Sequence, residues 1–339
     1  MSSDPSLDRL TDWMKSNVPG FRGPMSLNRI TGGQSNPTYR IDADSGSYVL
    51  RQKPMGTLLP SAHAVDREFR VLKALYGTGV PVPKVHAICS DPAVAGSMFY
   101  VMDWVPGRVV HDPLMPGFSP SERTAVFDSL NESIARIHAL DPEAIRLGDY
   151  GRPGAYVERQ VARWTKQYRA TETIENTAME RLIEWLPRHM PEGGDTRLVH
   201  GDYRLDNVIL HPSEPRVVAV LDWELSTLGC PLCDFANHMM VWRIPPDLFR
   251  GLAGADLPVL GIPDEELYLR QWLVRTGRQR PDNWDYYVVL GIFRIAAILQ
   301  GIAHRAMQGN AADPNAAAVG AKAKPLAELA WDMVQRIEH

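Results

Sequence analysis

Three oxygen-bearing side chains, those of Asp202, Asn207 and Asp222, have the spacing that a phosphoryl-transfer site requires. Such a reaction needs a carboxylate beside the acceptor hydroxyl and oxygen ligands for a magnesium ion that bridges the nucleotide phosphates. Apolar runs at residues 208–210 and 217–221 predict a short hairpin that returns the later Asp to the earlier loop. We therefore expect Asp202 to orient the acceptor hydroxyl, and Asn207 and Asp222 to hold the metal.

Each of these residues, taken alone, is also typical of turns and helix caps. The combination of an Asp-x-x-x-x-Asn segment, two strand signals and a second Asp is much more specific than its members. It favours the chemical interpretation over the turn interpretation.

A Gly-Gly segment between two predicted strands indicates where the nucleotide phosphates bind. Gly32 and Gly33 would let the backbone approach phosphate oxygens closely, and Ser35 and Asn36 would add hydrogen-bond donors. A plain hairpin turn is the alternative for such a pair. Its position upstream of the carboxylates favours phosphate binding.

The elements that would position these groups divide the chain into a strand-rich beginning and a helix-rich remainder. Residues 40–43 and 47–51 predict a hairpin, and residues 99–102 predict another strand. Residues 64–76 have helical spacing and are followed by Gly77 and Gly79. The later helices are predicted at residues 121–140, 155–171, 177–190, 265–277, 284–308 and 316–337.

Composition narrows the class of protein. The 339 residues carry a net charge of −4, which argues against a nucleic-acid binder. We expect no membrane span, because no apolar run approaches the roughly 20 residues that one requires, and the polar N-terminus does not resemble a signal peptide. With three cysteines we expect no disulfide framework and a cytoplasmic, reducing setting.

The Cys230-Pro231-Leu232-Cys233 segment is a C-x-x-C motif, which can be redox-active or can form half of a zinc site. Cys89 stands alone, and no second ligand pair has convincing spacing. A structural role is therefore favoured for both cysteines.

Residues 198–210 resemble the aminoglycoside phosphotransferase superfamily, whose fold is similar to that of protein kinases. Residues 220–229, 159–169 and 179–187 resemble one branch of it, which includes kinase domains associated with acyl-CoA dehydrogenases and bacterial kinases of hydroxyacyl-CoA thioesters. The resemblance covers about residues 25–245. It implies ATP and Mg²⁺ as cofactors and an α+β, protein kinase-like fold of two lobes.

The lobes implied by this resemblance are a small one at residues 1–105 and a larger, mostly helical one at residues 108–339. The small lobe would contain an antiparallel sheet with one main helix, joined to the larger lobe by a hinge at residues 102–107. The larger lobe would contain the catalytic loop at residues 200–207 and the metal ligand Asp222.

Further site residues follow from the resemblance. Arg51 occupies the place of the basic residue that contacts the nucleotide phosphates, where many kinases have Lys, and Glu68 would pair with it. The hinge residues Met102, Asp103 and Trp104 would present backbone groups to adenine.

Two further residues would support the catalytic loop. His200 would steady it through hydrogen bonds rather than act as a base. Asp234 would do the same from outside the loop, with a helix N-cap as its alternative role.

For the acceptor, the resemblance implies a small hydroxyl compound, a hydroxy acid or a hydroxyacyl-CoA. An aminoglycoside or amino-alcohol kinase and a non-catalytic nucleotide-binding module remain alternatives. The acidic run Asp264–Glu266 is short and suits a helix N-terminus better than a polycation site. Six arginines suit a carboxylate or a CoA phosphate better, with an ordinary solvated helix face as the alternative for each one singly: Arg270, Arg275, Arg278, Arg280, Arg294 and Arg305.

Overall fold

A computed structural model of the chain describes residues 7–30, 36–54, 64–310 and 313–338. The chain divides into two compact units. The first comprises Met1–Val109, Ile145–Leu147 and Asn207–Ser226, and the second comprises Val110–Ala144, Gly148–Asp206 and Thr227–His339.

The hairpin segment 207–226 belongs to the first unit, although the sequence pattern predicts it as part of the helical lobe. Its backbone bonds explain this assignment. The Val220 N–H donates to the Pro81 carbonyl over 2.8 Å, and the Arg108 N–H donates to the Leu210 carbonyl over 2.9 Å. The hairpin therefore packs on the segments that flank the N-terminal sheet.

The strands and helices of the first unit are α1 Leu7–Asn17, β1 Met25–Arg29, β2 Thr38–Ala43, β3 Gly46–Gln52, α2 Val65–Leu75, β4 Val85–Cys89, α3 Pro92–Ala95, β5 Phe99–Asp103, β7 Val208–Leu210 and β8 Val217–Val220. The first five strands form an antiparallel sheet with strand order β1-β2-β3-β5-β4.

The predicted hairpin around residues 44–46 is confirmed as β2 and β3. Alternating residues of these strands, including Tyr39, Ile41 and Leu50, are buried against Leu10 and Met14 of α1. The period of two therefore turns one face of the sheet toward α1.

Helix α2 confirms the predicted helix and packs on β4 and β5. It buries Glu68 together with its apolar residues. The helix ends before Gly77 and Gly79, which adopt φ of 85° and 92°, a region that L-residues with side chains rarely enter. This ending allows the chain to turn toward β4.

The second unit is mostly helical. Its elements are α4 Pro120–Ala139, α5 Tyr156–Thr171, α6 Thr177–Arg188, β6 Arg197–Val199, β9 Thr227–Gly229, α7 Pro231–Met239, α8 Pro246–Phe249, α9 Leu257–Leu260, α10 Glu265–Thr276, α11 Trp284–Met307, α12 Ala316–Gly320 and α13 Ala323–Ile337. Strands β6 and β9 form a two-stranded antiparallel sheet.

Helix α11 corrects the expectation that no apolar run is long enough for a membrane span. By length and composition its 24 residues could cross a membrane, and it is the single helix among the described residues of which this is true. However, 78% of its apolar window is buried inside the protein. Helices α5, α7, α12 and α13 pack around it, as they would around a core helix.

The single helix predicted for residues 316–337 is wrong in one respect, because α12 and α13 are separate. The break follows Gly320. A Cβ atom there would lie 2.6 Å from the Cα atom of Ala303 on α11, so only glycine permits this close approach.

Candidate active site

The first unit contains a large cavity of about 950 Å³, a volume that includes space open to solvent. Most of its lining is apolar, and charged groups are provided by Arg51, Glu68, Asp103 and Asp222. The apolar lining suits a ligand with a flat apolar body. The apolar lining includes Ile30, Val49, Leu72, Met102, Ile209 and Leu221.

All three predicted hinge residues, Met102, Asp103 and Trp104, line this cavity. The Asp103 N–H donates to the Lys84 carbonyl over 2.9 Å, and the Trp104 N–H donates to the Ser47 carbonyl over 3.3 Å. These two amides are therefore already engaged. A base bound here would use carbonyl groups of the segment or an amide further along the chain.

Arg51 is the centre of an ionic cluster at the charged end of the cavity. Its Nε lies 2.6 Å from Glu68 Oε2, and its Nη2 lies 2.8 Å from Asp222 Oδ1. Burial alone would lower the pKa of Arg51, but the Glu68 carboxylate, aided by Asp222, raises it. The guanidinium therefore stays charged, as a phosphate contact requires.

Glu68 is buried, and three side chains contact its carboxylate. Besides Arg51, the Tyr100 hydroxyl donates to Oε2 over 3.0 Å and Asn36 Nδ2 donates to Oε1 over 2.9 Å. Burial raises the pKa of Glu68, and the neighbouring Arg51 opposes that shift. The amide nitrogen of Asn36 thus helps to position Glu68. The phosphate contact expected of Asn36 stays a prediction.

The two predicted metal ligands lie in the same unit. The Leu221 N–H donates to the Asn207 carbonyl over 2.8 Å, which fixes Asn207 beside the strand end that leads to Asp222. Asp222 has a φ of 65°, an uncommon backbone conformation for a residue with a side chain, and such outliers occur preferentially at functional sites.

Their donor chemistry fits Mg²⁺, which prefers oxygen ligands and usually retains water and phosphate oxygens in its shell. One carboxylate oxygen of Asp222 is bonded to Arg51. The other carboxylate oxygen and the Asn207 amide oxygen are the groups that would hold the ion. Within the described ranges, no cluster of three or more His, Cys, Asp or Glu residues competes with this pair.

The predicted phosphate-loop residues Gly32, Gly33 and Ser35 lie outside the described residues. Their role stays a prediction from the sequence.

The second unit holds Asp202 in a loop that follows β6. Asp234 anchors this loop: its Oδ2 accepts from the His200 N–H and its Oδ1 accepts from the Gly201 N–H, both over 2.8 Å. Asp234 lies inside the first turn of α7, whose N-cap is Cys230, so the N-cap alternative for Asp234 is wrong. His200 Nδ1 in turn accepts from the Asp202 N–H over 3.2 Å, an arrangement that fits the supporting role predicted for it.

His138 on α4 completes the anchor. Trp272 Nε1 donates to His138 Nδ1 over 3.2 Å, so the ring proton is on Nε2, which lies 3.0 Å from Asp234 Oδ2. Burial lowers the pKa of His138 and keeps the ring neutral. Burial alone would raise the pKa of Asp234, but the hydrogen bond from His138 and the groups of His200 lower it. Asp234 therefore remains a charged acceptor.

Asp202 is partly exposed and lies 3.3 Å from Arg204 Nε. Arg204 also reaches Asp206 over 3.4 Å, and Arg250 pairs with the same Asp206 oxygen. The loop therefore presents Asp202, the predicted base, beside the Arg204 guanidinium, and Arg250 reaches the loop from the end of α8.

A second cavity, here called the loop cavity, opens beside Arg204, Leu205 and Asp206 in the second unit. Its volume is about 540 Å³, including space open to solvent, which falls within the range of small-molecule sites. The other lining residues are mostly apolar: Pro113, Phe127, Leu130, Met240, Val241, Trp242 and Phe249, with the polar His111, Asn237, His238 and Arg250.

Four of the six arginines proposed for an anionic acceptor instead make internal contacts. Arg275 pairs with Asp128 and Arg278 with Asp195, each over 2.6 Å. Arg280 pairs with Glu266, and Arg294 Nη2 donates to the Gly201 carbonyl. Asp264 caps α10 by accepting from the Leu267 N–H, as the helix N-terminus interpretation requires.

Cys230 and Cys233 are free thiols at the start of α7. A hydrogen bond from Cys233 lowers the pKa of Cys230, and burial raises that of Cys233. The structural role predicted for this pair remains a prediction.

Sequence patterns did not identify Tyr100, His138, Trp272 or Arg250. Each lies far along the chain from the group that it contacts, so no local spacing could have indicated it. The helical periodicity of α4 predicts that a residue such as His138 is buried, but not what it bonds.

Comparison with known proteins agrees with this geometry. The sequence profile of the phosphotransferase enzyme family matches residues 26–280. The chain is 48% identical over 316 residues to acyl-CoA dehydrogenase family member 10 of Mus musculus, covering 93% of this chain and 30% of that protein. It is 40% identical to family member 11 of Rattus norvegicus, covering 96% of this chain and 43% of that protein. The chain thus spans less than half the length of these curated relatives.

Solved structures agree as well. A Ralstonia eutropha crystal structure, whose description proposes an aminoglycoside phosphotransferase, is 48% identical with a TM-score of 0.91 over 98% of this chain and 99% of that one. The GDP complex of aminoglycoside 2'-phosphotransferase-IIIa has a TM-score of 0.62 at 15% identity, over 96% of this chain and 99% of that one, and shows the fold alone. Together, the profile match and the close relatives show that the chain belongs to the phosphotransferase enzyme family, with its protein kinase-like fold and its transfer of phosphoryl groups to hydroxyl acceptors.

Proposed function

We propose that this small-molecule kinase uses ATP and Mg²⁺ to phosphorylate a hydroxy acid or its CoA thioester. The observation that carries the acceptor class is the charge of the loop cavity. Asp206 is the single carboxylate among its lining residues in the described part of the chain, and both Arg204 and Arg250 contact it. A polycationic aminoglycoside would need several carboxylates there. An acceptor with an apolar body and a neutral or anionic group fits this lining better.

The thioester part of the proposal rests on the relatives. Three of the curated proteins most similar to this chain carry acyl-CoA dehydrogenase in their names. A kinase domain in such proteins would act on a related acyl compound. The free hydroxy acid offers the same hydroxyl without the thioester, so both forms belong in the test.

In this mechanism Asp202 accepts or orients the proton of the acceptor hydroxyl while the hydroxyl oxygen attacks the γ-phosphorus of ATP. Arg204, whose Nε lies 3.3 Å from Asp202 Oδ2, helps to orient that carboxylate. Asp234 holds the loop through the His200 and Gly201 amides. These residues position the carboxylate before the acceptor arrives.

On the nucleotide side, Arg51 would neutralise phosphate oxygens while Glu68 and Asp222 hold its guanidinium in place. Asn207 and Asp222 are the residues that would hold Mg²⁺. The ion would supply charge neutralisation on the β- and γ-phosphates.

An ATP-consumption screen tests the acceptor class. It should compare hydroxy acids, their CoA thioesters, aminoglycosides and choline-like amines, with product phosphorylation verified by mass spectrometry. We expect turnover of hydroxy acids or their thioesters. Selective turnover of a cationic acceptor would exclude the proposed substrate class and leave the kinase chemistry intact.

Replacement of the proposed base tests the chemistry. Asp202→Asn should lower kcat by about 10²- to 10⁴-fold, because the amide cannot accept the hydroxyl proton. Nucleotide affinity, measured by calorimetry, should stay within a few-fold of wild type. The matched control is Asp128→Asn, which alters a carboxylate that pairs with Arg275 on the surface. Equal kcat values for Asp202→Asn and wild type would exclude Asp202 as the base.

A further inference from the structure

Asn237 is a buried polar residue without an internal partner. It lies on α7, one turn after Asp234, and is 3% exposed. Neither its Nδ2 nor its Oδ1 has a hydrogen-bond partner within the described part of the chain. More than nine in ten buried polar groups in proteins are paired, so an amide with both ends unpaired requires a reason.

Asn131, another buried asparagine of the second unit, provides a comparison for Asn237. It is fully buried on α4, its Nδ2 donates to the Tyr268 carbonyl over 2.9 Å, and its Oδ1 accepts from Arg275 over 2.7 Å. Both ends of that amide are satisfied. Asn237 is equally buried and makes neither kind of bond, so internal structure does not explain its polarity.

The cavities around Asn237 supply the reason. The residue lines the loop cavity, where its neighbours include Leu130, Met240 and Trp242. It also lines a smaller cavity of about 330 Å³ with Trp164 and Arg294. In the loop cavity, an amide among apolar side chains would fix the orientation of a ligand that has both a hydrogen-bond donor and an acceptor.

We propose that Asn237 is a specificity-determining residue that recognises the acceptor in the loop cavity. Its amide nitrogen would donate to a carbonyl or carboxylate oxygen of the acceptor, and its amide oxygen would accept from a hydroxyl. The fitting ligand is a compound in which a hydroxyl lies close to a carbonyl group on an apolar chain. This inference rests on the proposed function, because it assigns the loop cavity to the acceptor.

Direct binding tests the inference without depending on turnover. The probes are straight-chain hydroxy acids and their CoA thioesters, each compared with the same acid lacking the hydroxyl, by ligand-detected NMR on the full chain. Asn237→Leu keeps the branching of the side chain at Cγ and removes both hydrogen-bonding groups. We expect it to weaken binding of the hydroxy compounds about tenfold or more, and binding of the deoxy compounds by less than about twofold. For any probe that turns over, acceptor KM should rise more than kcat falls.

Thermal unfolding separates recognition from a structural role. Asn131→Leu should lower the Tm by several degrees, because it removes the buried hydrogen bonds of Asn131 to Arg275 and to the Tyr268 carbonyl. Asn237→Leu should leave the Tm unchanged or raise it, because it removes an unpaired buried amide. A conservative variant, Asn237→Gln, should restore part of the discrimination between hydroxy and deoxy compounds.

Two results would overturn the inference. One is that wild type binds no hydroxy compound of the series more tightly than Asn237→Leu does. The other is that Asn237→Leu loses Tm as Asn131→Leu does and weakens all probes equally, as expected if ordered water satisfies a purely structural amide. A wild type that binds in an Asn237-dependent way yet transfers no phosphoryl group would refute the proposed function and leave Asn237 as the residue that recognises hydroxy compounds in the loop cavity.

Discussion

Replacing Asp234 by Asn tests whether a buried carboxylate holds the catalytic loop. The substitution preserves the shape of the side chain but leaves one acceptor oxygen where there were two. In wild type those oxygens accept from the His200 and Gly201 amides over 2.8 Å and face His138 Nε2 at 3.0 Å. The new NH₂ group would face at least one of these donors.

The expected cost follows from these contacts. One buried N–H loses a bond to a charged acceptor, and a donor left unpaired in the interior costs about 1–3 kcal/mol. The bonds that remain lose the charge of their acceptor, and breaking such a buried network typically costs about 3–5 kcal/mol. We therefore expect Asp234→Asn to lower the free energy of unfolding by about 3–5 kcal/mol. We also expect it to lower kcat by about 10²-fold, because Asp202 follows Gly201 directly and small misplacements are costly.

Urea denaturation followed by tryptophan fluorescence provides the assay, since Trp272 donates to His138 in the same network. The control is Asp195→Asn, which removes the charge from a half-exposed pair with Arg278 and should cost about 1 kcal/mol or less. The reasoning fails if Asp234→Asn unfolds at the same urea concentration as that control. It also fails if kcat survives while the stability falls as expected, since the anchor would then not position the loop.

Two further predictions concern charge. Glu68→Gln removes the counter-ion that lies 2.6 Å from the partly buried Arg51, so we expect ATP affinity to fall about tenfold and the free energy of unfolding to fall by about 3 kcal/mol. Calorimetry measures the affinity and urea titration measures the stability. The exposed Glu132→Gln should change neither by more than a few tenths of a kcal/mol. Burial lowers the pKa of His238 to about 4. The unfolded chain therefore binds this proton near pH 6.5 while the folded chain stays neutral, and stability contributed by His238 is lost as pH falls from about 6.5 to 4, at roughly 1.4 kcal/mol per pH unit. Urea titrations at several pH values across that range should show that the free energy of unfolding depends less steeply on pH in His238→Gln than in wild type. An unchanged dependence on pH would contradict the burial argument.

Local pattern predicted much of the fold correctly. The hairpin of β2 and β3 and the helix α2 follow from alternation, periodicity and turn residues within a few positions of one another. The same kind of signal failed at residues 316–337, where α12 ends at Gly320, a residue that packs closely against Ala303 on another helix. Hydropathy likewise could not reveal that α11 is covered by neighbouring helices.

The sequence by itself was enough to predict phosphoryl-transfer chemistry. Asp202, Asn207 and Asp222 are close along the chain, and a short hairpin is enough to define their spacing. Only the tertiary structure decided which distant groups support them. Asp234 contacts His138, from which it is separated by 96 residues in the sequence, and Arg51 contacts Asp222, from which it is separated by 171. The unpaired amide of Asn237 is likewise visible only when every neighbour is in place. The reason is physical: periodicity reports which face of an element is buried, whereas hydrogen-bond partners depend on how separate elements pack.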